Sequence, residues 1–440
     1  MACKIVFIGG GSYNWGPELI RDCMVTPELA DGKLVLHDID HEAARRNLAI
    51  GELLKARAGS SLKLEVIDDR RAALDGADYV VLAISVGGLE SWRLDMEIPD
   101  KHGSRQTIAD TVGPGGYSRA LRSIPVVVGI ARDMEQMCPN AWLLNVTNPM
   151  TTLTRCVWRE TGIRCIGLCH EVYHFLRRVE KMLQVSTEDI FLNYGGINHC
   201  GWILEMAVNG QDGLAMLRQY WKENPPKDTV ALVLFDIFGC LPVINGRHLS
   251  EFFPHFLRPE TGYGERYGFL DQMVTVPDRL RVMAEEREKW LRMPEGEHLP
   301  DLERGVEPVA PIISAIETGQ PFPFVANWPN VGQIPNLPAD AVVETRAIAD
   351  GRGVTPMAVG ALPEGVRSVL ARHVSNQELI VEAAVEGDAQ QALQAFVSDP
   401  LVRGIEEAKT MLDELLAAHA RYLPQFQRAA RRGVTEAAIS

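Results

Sequence analysis

Along the first 150 residues, short apolar runs alternate with stretches in which apolar residues recur every three or four positions. "KIVFI" is closed by the glycines of "GGGS", and the segment after it carries Leu19, Ile20, Cys23 and Met24 at helical spacing. That pattern predicts strand, tight turn, helix. "KLVLHDID", "ADYVVLAIS" (77–85) and "AWLLNVTNP" (141–149) predict further strands, with a long helix around "SIPVVVGIARDMEQM" before the last of them. Strands this apolar are covered on both faces, and their alternation with helices makes a right-handed, doubly wound parallel sheet the simplest α/β topology.

After residue 195 the pattern changes to helices mixed with short strands, without repeats or low-complexity tracts. "EGVRSVLARHVSNQELIVEAAVEGDAQQALQAFVSDPL" and "GIEEAKTMLDELLAAHARYL" read as amphipathic helices that complete a core. The expected division is a nucleotide-binding domain of Rossmann type over 1–195 and a mixed α/β domain over 196–440 for substrate binding, catalysis and oligomerisation. The tail beyond Pro424 is expected to fray or to pack on a neighbouring subunit.

The glycine turn is the first candidate site. Gly9 and Gly11 occupy the first two positions of G-x-G-x-x-G, with Ser12 beside them, while Asn14 stands at the third position. Such a turn lets backbone approach a dinucleotide pyrophosphate at a helix N-terminus, and a plain βα turn is the alternative. Asp38, 29 residues after Gly9, ends the next strand, where an acid selects NAD over its 2′-phosphorylated form through the ribose hydroxyls. In such sheets ligands lie beyond the strand C-termini, so Asn148 in "NVTNP" is expected to face the cofactor; its alternative is a turn residue before Pro149.

Charge narrows the partners. With 44 Lys and Arg against 58 Asp and Glu, the net charge of −14 excludes nucleic acid as a partner and leaves an acidic substrate to a few local arginines. The N-terminal apolar run is too short for a signal-peptide core or a membrane span, so a cytoplasmic protein is expected, with no membrane partner and its eight cysteines reduced.

Three further segments carry candidate chemistry. "SRQTIADTVGPGGYSRALR" (104–122) holds Arg105, Asp110, Arg119 and Arg122 and reads as a loop over the crevice, either a ligand wall or a flexible surface loop. "GLCHEVYHF" places Cys169, His170 and Glu171 after an apolar strand, and "GINHCGW" places His199 and Cys200 after another. A buried cysteine is often a small hydrophobe and a lone histidine a hydrogen-bonded one. At two strand mouths, however, Cys169 and His199 could hold a metal with open positions for substrate oxygens.

Taken together, "FIGGGS", "LHDID", "ADTVGPGG", "NVTNP", "CHEV" and "GINHCGW" resemble glycoside hydrolase family 4, whose NAD-dependent members do not use the two-carboxylate mechanism. The match spans most of residues 1–202 and continues more loosely through "GRHLSEFFPHF", "NVGQIPNLPADAVVE" and "SDPL". The resemblance implies a fold like lactate and malate dehydrogenases, with NAD+ as cofactor. It implies a divalent ion, Mn2+, on Cys169 and His199, sugar contacts from Asn148, His170 and Glu171, and a homodimer or homotetramer. It also implies hydride removal at sugar carbon 3, proton abstraction at carbon 2, elimination, water addition and return of the hydride. "CHEV" resembles the α-galacturonidases of the family.

Where phosphoglycosidases of that family carry a tyrosine base, this chain has Phe252 and Phe253, so Glu251, His248 and a metal-bound hydroxide are the candidate bases, and Asp110 a candidate acid or base. A uronic acid carboxylate would be gripped by an arginine fork, with Arg105, Arg119 and Arg122 as candidates and Arg119 preferred. Glucuronides, or neutral α-glucosides and α-galactosides, are alternatives. A malate- or lactate-type dehydrogenase and a non-catalytic NAD sensor are readings from other classes, separated by the need for both NAD+ and Mn2+ without net NADH.

Overall fold

The computed structural model describes residues 3–427. Among the described residues, thirteen strands form a single sheet. The first six are β1 (Lys4–Ile8), β2 (Lys33–His37), β3 (Lys63–Val66), β4 (Tyr79–Leu82), β5 (Trp142–Asn145) and β6 (Arg164–Gly167). They run parallel in the order β3-β2-β1-β4-β5-β6, the doubly wound arrangement expected from the pattern. β3 was not apparent in the sequence, because "KLEV" is only partly buried and too polar to stand out.

The side-chain alternation of β1 shows why the sheet is covered on both faces. Ile5 and Phe7 pack with Leu34, Leu36, Val81 and Leu144 beneath the helices Gly16–Met24, His41–Ala58 and Val309–Thr318. Val6 and Ile8 pack on the other face with Val80, Leu82 and Leu143 against the helices Gly113–Met137, Met150–Glu160 and Glu364–Glu386. Each such side chain, fully withdrawn from water, contributes roughly 1.5–3 kcal/mol before entropy is counted. The two C-terminal helical stretches thus complete the core of the first domain.

The other strands are β7 (Ile190–Ile197), β8 (Cys200–Val208), β9 (Gln211–Asp212), β10 (Leu241–Pro242), β11 (Phe322–Pro329), β12 (Val342–Asp350) and β13 (Gly353–Pro356). β11 pairs antiparallel with β6 at Asn327 and Gly167, and β12, β7, β8 and β10 extend the sheet from there. Strands late in the chain are therefore inserted between β6 and β7. The boundary placed at 195/196 falls inside β7, two residues before its hairpin turn. Residues 428–440, which include most of the tail beyond Pro424, lie outside the described residues.

The segment 104–122 is a loop only as far as Val112; a helix starts at Gly113, with Pro114 in its first turn. Its glycines serve close packing. A Cβ on Gly115 would lie 2.5 Å from the Asp95 carbonyl oxygen, and one on Gly116 2.7 Å from the Thr111 carbonyl carbon.

Candidate active site

The glycine turn closes tightly over β2. The Gly9 and Gly10 amides donate to the His37 carbonyl at 3.0 and 2.9 Å, and the Gly11 amide donates to Asp38 Oδ2 at 2.9 Å. Gly9 has φ +94°, and a Cβ there would lie 2.0 Å from the Ala83 carbonyl oxygen, so only glycine fits. Ser12 shapes the turn, its amide donating to Gly9 and its hydroxyl accepting from Trp15. No side chain caps the helix Gly16–Met24; the Gly16 amide donates to the Ser12 carbonyl, Pro17 has no N–H and the Leu19 amide donates to Trp15, so the Glu18 amide is the one in its first turn left to an incoming anion. Asp38 stands just past β2, and Asp40 instead caps the next helix through the Ala43 amide.

Across the strand ends from this turn lies a polar pocket built from distant segments. Glu251, on the helix Gly246–Phe252, accepts at Oε1 from the amides of Thr107, Ile108 and Ala109 at 2.8, 2.8 and 2.9 Å. These bonds fold the loop so that Ala109 takes a left-handed conformation, φ +54°, and Asp110 enters the pocket. Asp110 Oδ1 accepts from the Thr111 hydroxyl at 2.6 Å, and that hydroxyl lies 2.7 Å from His199 Nδ1. A carboxylate only accepts, so the Thr111 proton goes to Asp110, and Thr111 in turn accepts Nδ1–H of His199. The chain leaves His199 Nε2 with a free lone pair, the state a metal ligand needs.

His199 sits in the two-residue turn between β7 and β8 with φ +62°, a backbone conformation rare outside glycine. The His248 ring is 4.1 Å away, centroid to centroid, and ligand atoms of Asp110, His199 and His248 lie within 4.8 Å of one another. Burial holds both imidazoles below the usual histidine range, His248 far below it. Burial would push Asp110 up, but His199, His248, the Thr111 hydroxyl and Arg119 outweigh it and hold the carboxyl well below the ordinary range. The pocket therefore combines one carboxylate with two neutral imidazoles.

Asn148 closes one wall. Its Nδ2 donates to Asp110 Oδ2 at 3.2 Å, Arg119 Nε donates to its carbonyl at 2.9 Å, and its Oδ1 is buried without a partner among the described residues. His170 and Glu171 approach from the start of the helix Glu171–Leu183, close enough for their charges to act on His199. His170 Nδ1 is 2.5 Å from Glu307 Oε1, and its ring lies 6.4 Å from that of Trp15, beside the glycine turn. Burial opposes a charge on His170, yet the Glu307 bond and the charges of Glu307 and Glu171 raise its pKa. Cys169 is buried beside Asn198 and Glu344, and burial pushes its thiol up; it stands outside the group formed by Asp110, His199 and His248. Cys200 packs in the core beside Trp202.

Several expectations need correction. Glu251 is 1 % exposed and anchors the 107–109 amides, so it is not placed to reach a substrate proton. Arg122 is buried and forked onto Asp95 at 2.5 and 2.9 Å, and Arg105 pairs with Asp100 and stacks on Tyr263. Neither is free for a substrate carboxylate; of the three candidate arginines only Arg119 reaches the pocket.

Sequence reasoning missed Glu307, Arg247, Arg279 and the role of Thr111. The helix Val276–Arg292, which carries Arg279, covers the glycine turn: Trp290 Nε1 donates to Asn47 at 2.7 Å, and Met283 meets Asn14 at 3.6 Å. Its start was legible in "TVPD", because Thr275 caps the Asp278 amide at 3.2 Å. For Glu307 the sequence holds no signal.

Residues 4–185 match the family described as family 4 glycosyl hydrolase, and residues 194–402 match its C-terminal domain. The chain belongs to glycosyl hydrolase family 4. It is 37% identical to an alpha-galactosidase of Bacillus subtilis, over 96% of this chain and 100% of that protein. To an alpha-galacturonidase of Thermoanaerobacterium saccharolyticum it is 34% identical, over 95% and 96%. A 6-phospho-beta glucosidase of Thermotoga maritima, solved with manganese, NAD+ and glucose-6-phosphate, superposes with a TM-score of 0.82 at 27% identity, over 96% and 99%. A malate dehydrogenase of Plasmodium falciparum shares the fold alone, with a TM-score of 0.54 at 12% identity over 87% and 98%. Among the described residues no helix is long and apolar enough to cross a membrane.

Proposed function

We propose that this family 4 enzyme hydrolyses α-linked galacturonides with NAD+ and Mn2+. The observation that carries the reading is the chain Asp110–Thr111–His199 beneath Asn148, facing the Gly9–Gly11 turn across the strand ends and flanked by the "CHEV" tetrad. Galacturonidases among the relatives support the substrate, and the lone pair that the Asp110–Thr111 chain leaves on His199 Nε2 supports the metal.

The residues present fit both cofactors. Gly9, Gly11 and the uncapped helix N-terminus would cradle the diphosphate, and Asp38 would take the adenosine ribose. His199 Nε2 and Cys169 would hold the ion, with Asp110 as positioning residue behind His199. When bound, NAD+ supplies a reversible hydride acceptor for sugar carbon 3 and Mn2+ polarises the neighbouring oxygens, which makes the carbon 2 proton removable.

The chain's own residues then do the following. Asn148 offers its unpartnered Oδ1 to a sugar hydroxyl. His248, kept neutral by burial, accepts the proton from carbon 2. His170, whose pKa is raised by Glu307 against the effect of burial, gives a proton to the departing glycosidic oxygen, and Glu171 lines the sugar site. Water adds across the resulting double bond as these transfers run in reverse.

Turnover of p-nitrophenyl α-galacturonide should require both NAD+ and Mn2+, accumulate no NADH, and place solvent deuterium at carbon 2 of the product. Stoichiometric NADH release would instead establish a dehydrogenase. His248→Gln should lose the deuterium exchange yet still bind Mn2+; loss of the metal would make His248 a ligand and not the base. A second reading, α-galactoside hydrolysis, is favoured by the alpha-galactosidase relative and is decided by kcat/KM on the two matched glycosides. A homodimer or homotetramer in the cytoplasm completes the proposal, with light scattering as the check on assembly.

A further inference from the structure

Three arginines line the pocket without an ion-pair partner among the described residues. Arg119 spends its Nε on the Asn148 carbonyl at 2.9 Å. Arg247 places Nη2 3.4 Å from His248 Nε2, and its Nε is buried with no acceptor. Arg279, half-buried in the first turn of the covering helix, makes no side-chain hydrogen bond among the described residues. Elsewhere in the first domain Arg122 takes Asp95, Arg155 takes Glu378 and Arg159 takes Glu382, while Arg46 and Arg164 find backbone carbonyls.

The charges act on one another. Arg247 bears on His199 and His248, Arg279 on Asp110 and on Tyr13 of the glycine turn, and the Arg247 and Arg279 charges repel each other. Asp110 acts on Arg119 and Arg279, but one carboxylate does not balance three guanidiniums. A divalent ion would only add positive charge. In a chain with 58 acids against 44 Lys and Arg, withholding acids from this spot leaves a strong local demand for an anion from outside.

We propose that Arg247 and Arg279 form the fork that grips the carbon 6 carboxylate of the substrate and sets its preference over the neutral sugar. This rests on the galacturonide reading and names the residues behind it. Two guanidiniums from different helices can take one oxygen each or bind side by side, and planar N–H pairs match a carboxylate in a way that lysine cannot. The free protein leaves the pair open, and the substrate completes it. The other anion within reach of Arg279 is the cofactor's diphosphate, because Tyr13 lies in the turn that would hold it.

The test uses the full chain with NAD+ and Mn2+ and compares wild type with Arg247→Gln, Arg279→Gln and the two Lys variants. The readouts are kcat/KM on p-nitrophenyl α-galacturonide and α-galactoside, with NAD+ affinity measured separately. Each Gln variant should lower the galacturonide-to-galactoside ratio about 10- to 100-fold, the Lys variants should recover only part of it, and the Kd for NAD+ should stay within about threefold. Should a Gln variant fail to fold, the Lys variant, which keeps charge and bulk, carries the comparison. An unchanged ratio in folded variants overturns the fork. So does an Arg279→Gln protein that loses NAD+ affinity tenfold with its ratio intact, which would assign Arg279 to the diphosphate. A wild-type protein that prefers the galactoside sinks the substrate reading itself, and the fork with it.

Discussion

Replacing Glu251 with Gln separates a loop anchor from a catalytic base. The amide retains the Oε1 acceptor for the Thr107, Ile108 and Ala109 amides, so the loop that presents Asp110 should stay folded. Burial, with Asp110 adding to it, raises the Glu251 pKa from 4.5 to about 7, despite the three amides that pull it down. The folded-state value lies above the unfolded one. The wild type therefore has its full stability with respect to this group below about pH 4.5, and loses it as pH rises towards 7 and beyond. The difference of 7 and 4.5 is 2.5 units, which converts to on the order of 3 kcal/mol at 1.36 kcal/mol per unit. Glutamine does not ionise and escapes that loss. For a chain of 440 residues unfolding with roughly 2.1 cal/mol/K per residue, the shift in Tm is about 3 °C. Thermal melts of the two proteins from pH 4.5 to 8.5 should thus coincide at the acid end, separate in the variant's favour as pH rises from 4.5 to about 7 and stay apart above it, while kcat stays within about tenfold. A variant less stable at pH 8 than at pH 5 relative to wild type would refute the anchoring argument. A loss of kcat beyond a thousandfold in a folded variant would restore Glu251 as the base.

Four further outcomes follow from the same geometry. Gly9→Ala should abolish NAD+ binding and cost at least 2 kcal/mol, since its Cβ meets the Ala83 carbonyl at 2.0 Å; a variant with native Tm and NAD+ affinity would contradict this. Asp95→Asn leaves Arg122 charged, buried and half-paired, and should destabilise by about 3–5 kcal/mol in denaturant melts, whereas a change under 1 kcal/mol would show the pair to be dispensable. Cys169→Ser should remove turnover with little loss of Tm, as a neutral hydroxyl replaces the proposed thiolate ligand; wild-type activity across a Mn2+ titration would exclude that role. Asp38→Ala should weaken NAD+ binding and narrow the preference over NADP+, to be read from the two Kd values, and equal wild-type use of both cofactors would count against Asp38 as the selector.

The sequence alone determined the parallel half of the sheet apart from β3, the glycine turn, the C-terminal helices and the strand mouths that carry Cys169, Asn148 and His199. These are legible because the apolar period and the turn residues act between near neighbours, and a strand's end places its next residue at the ligand edge whatever lies elsewhere. Partner choice was not legible. Arg105, Arg119 and Arg122 are all candidates along the chain, with Arg119 preferred only for its place after "GPGGY", yet Asp95 takes Arg122, Asp100 takes Arg105, and of the three Arg119 turns to Asn148. Glu251 reads as a reactive acid beside His248 until the amides 142 to 144 residues away close around it. The insertion of β11 and β12 between β6 and β7, and the covering helix that brings Arg279 to Asp110, likewise join segments more than a hundred residues apart. A charge's role depends on which opposite charge or hydrogen-bond donor reaches it first in the folded chain. That competition is settled by packing across sequence distance, where periodicity carries no information.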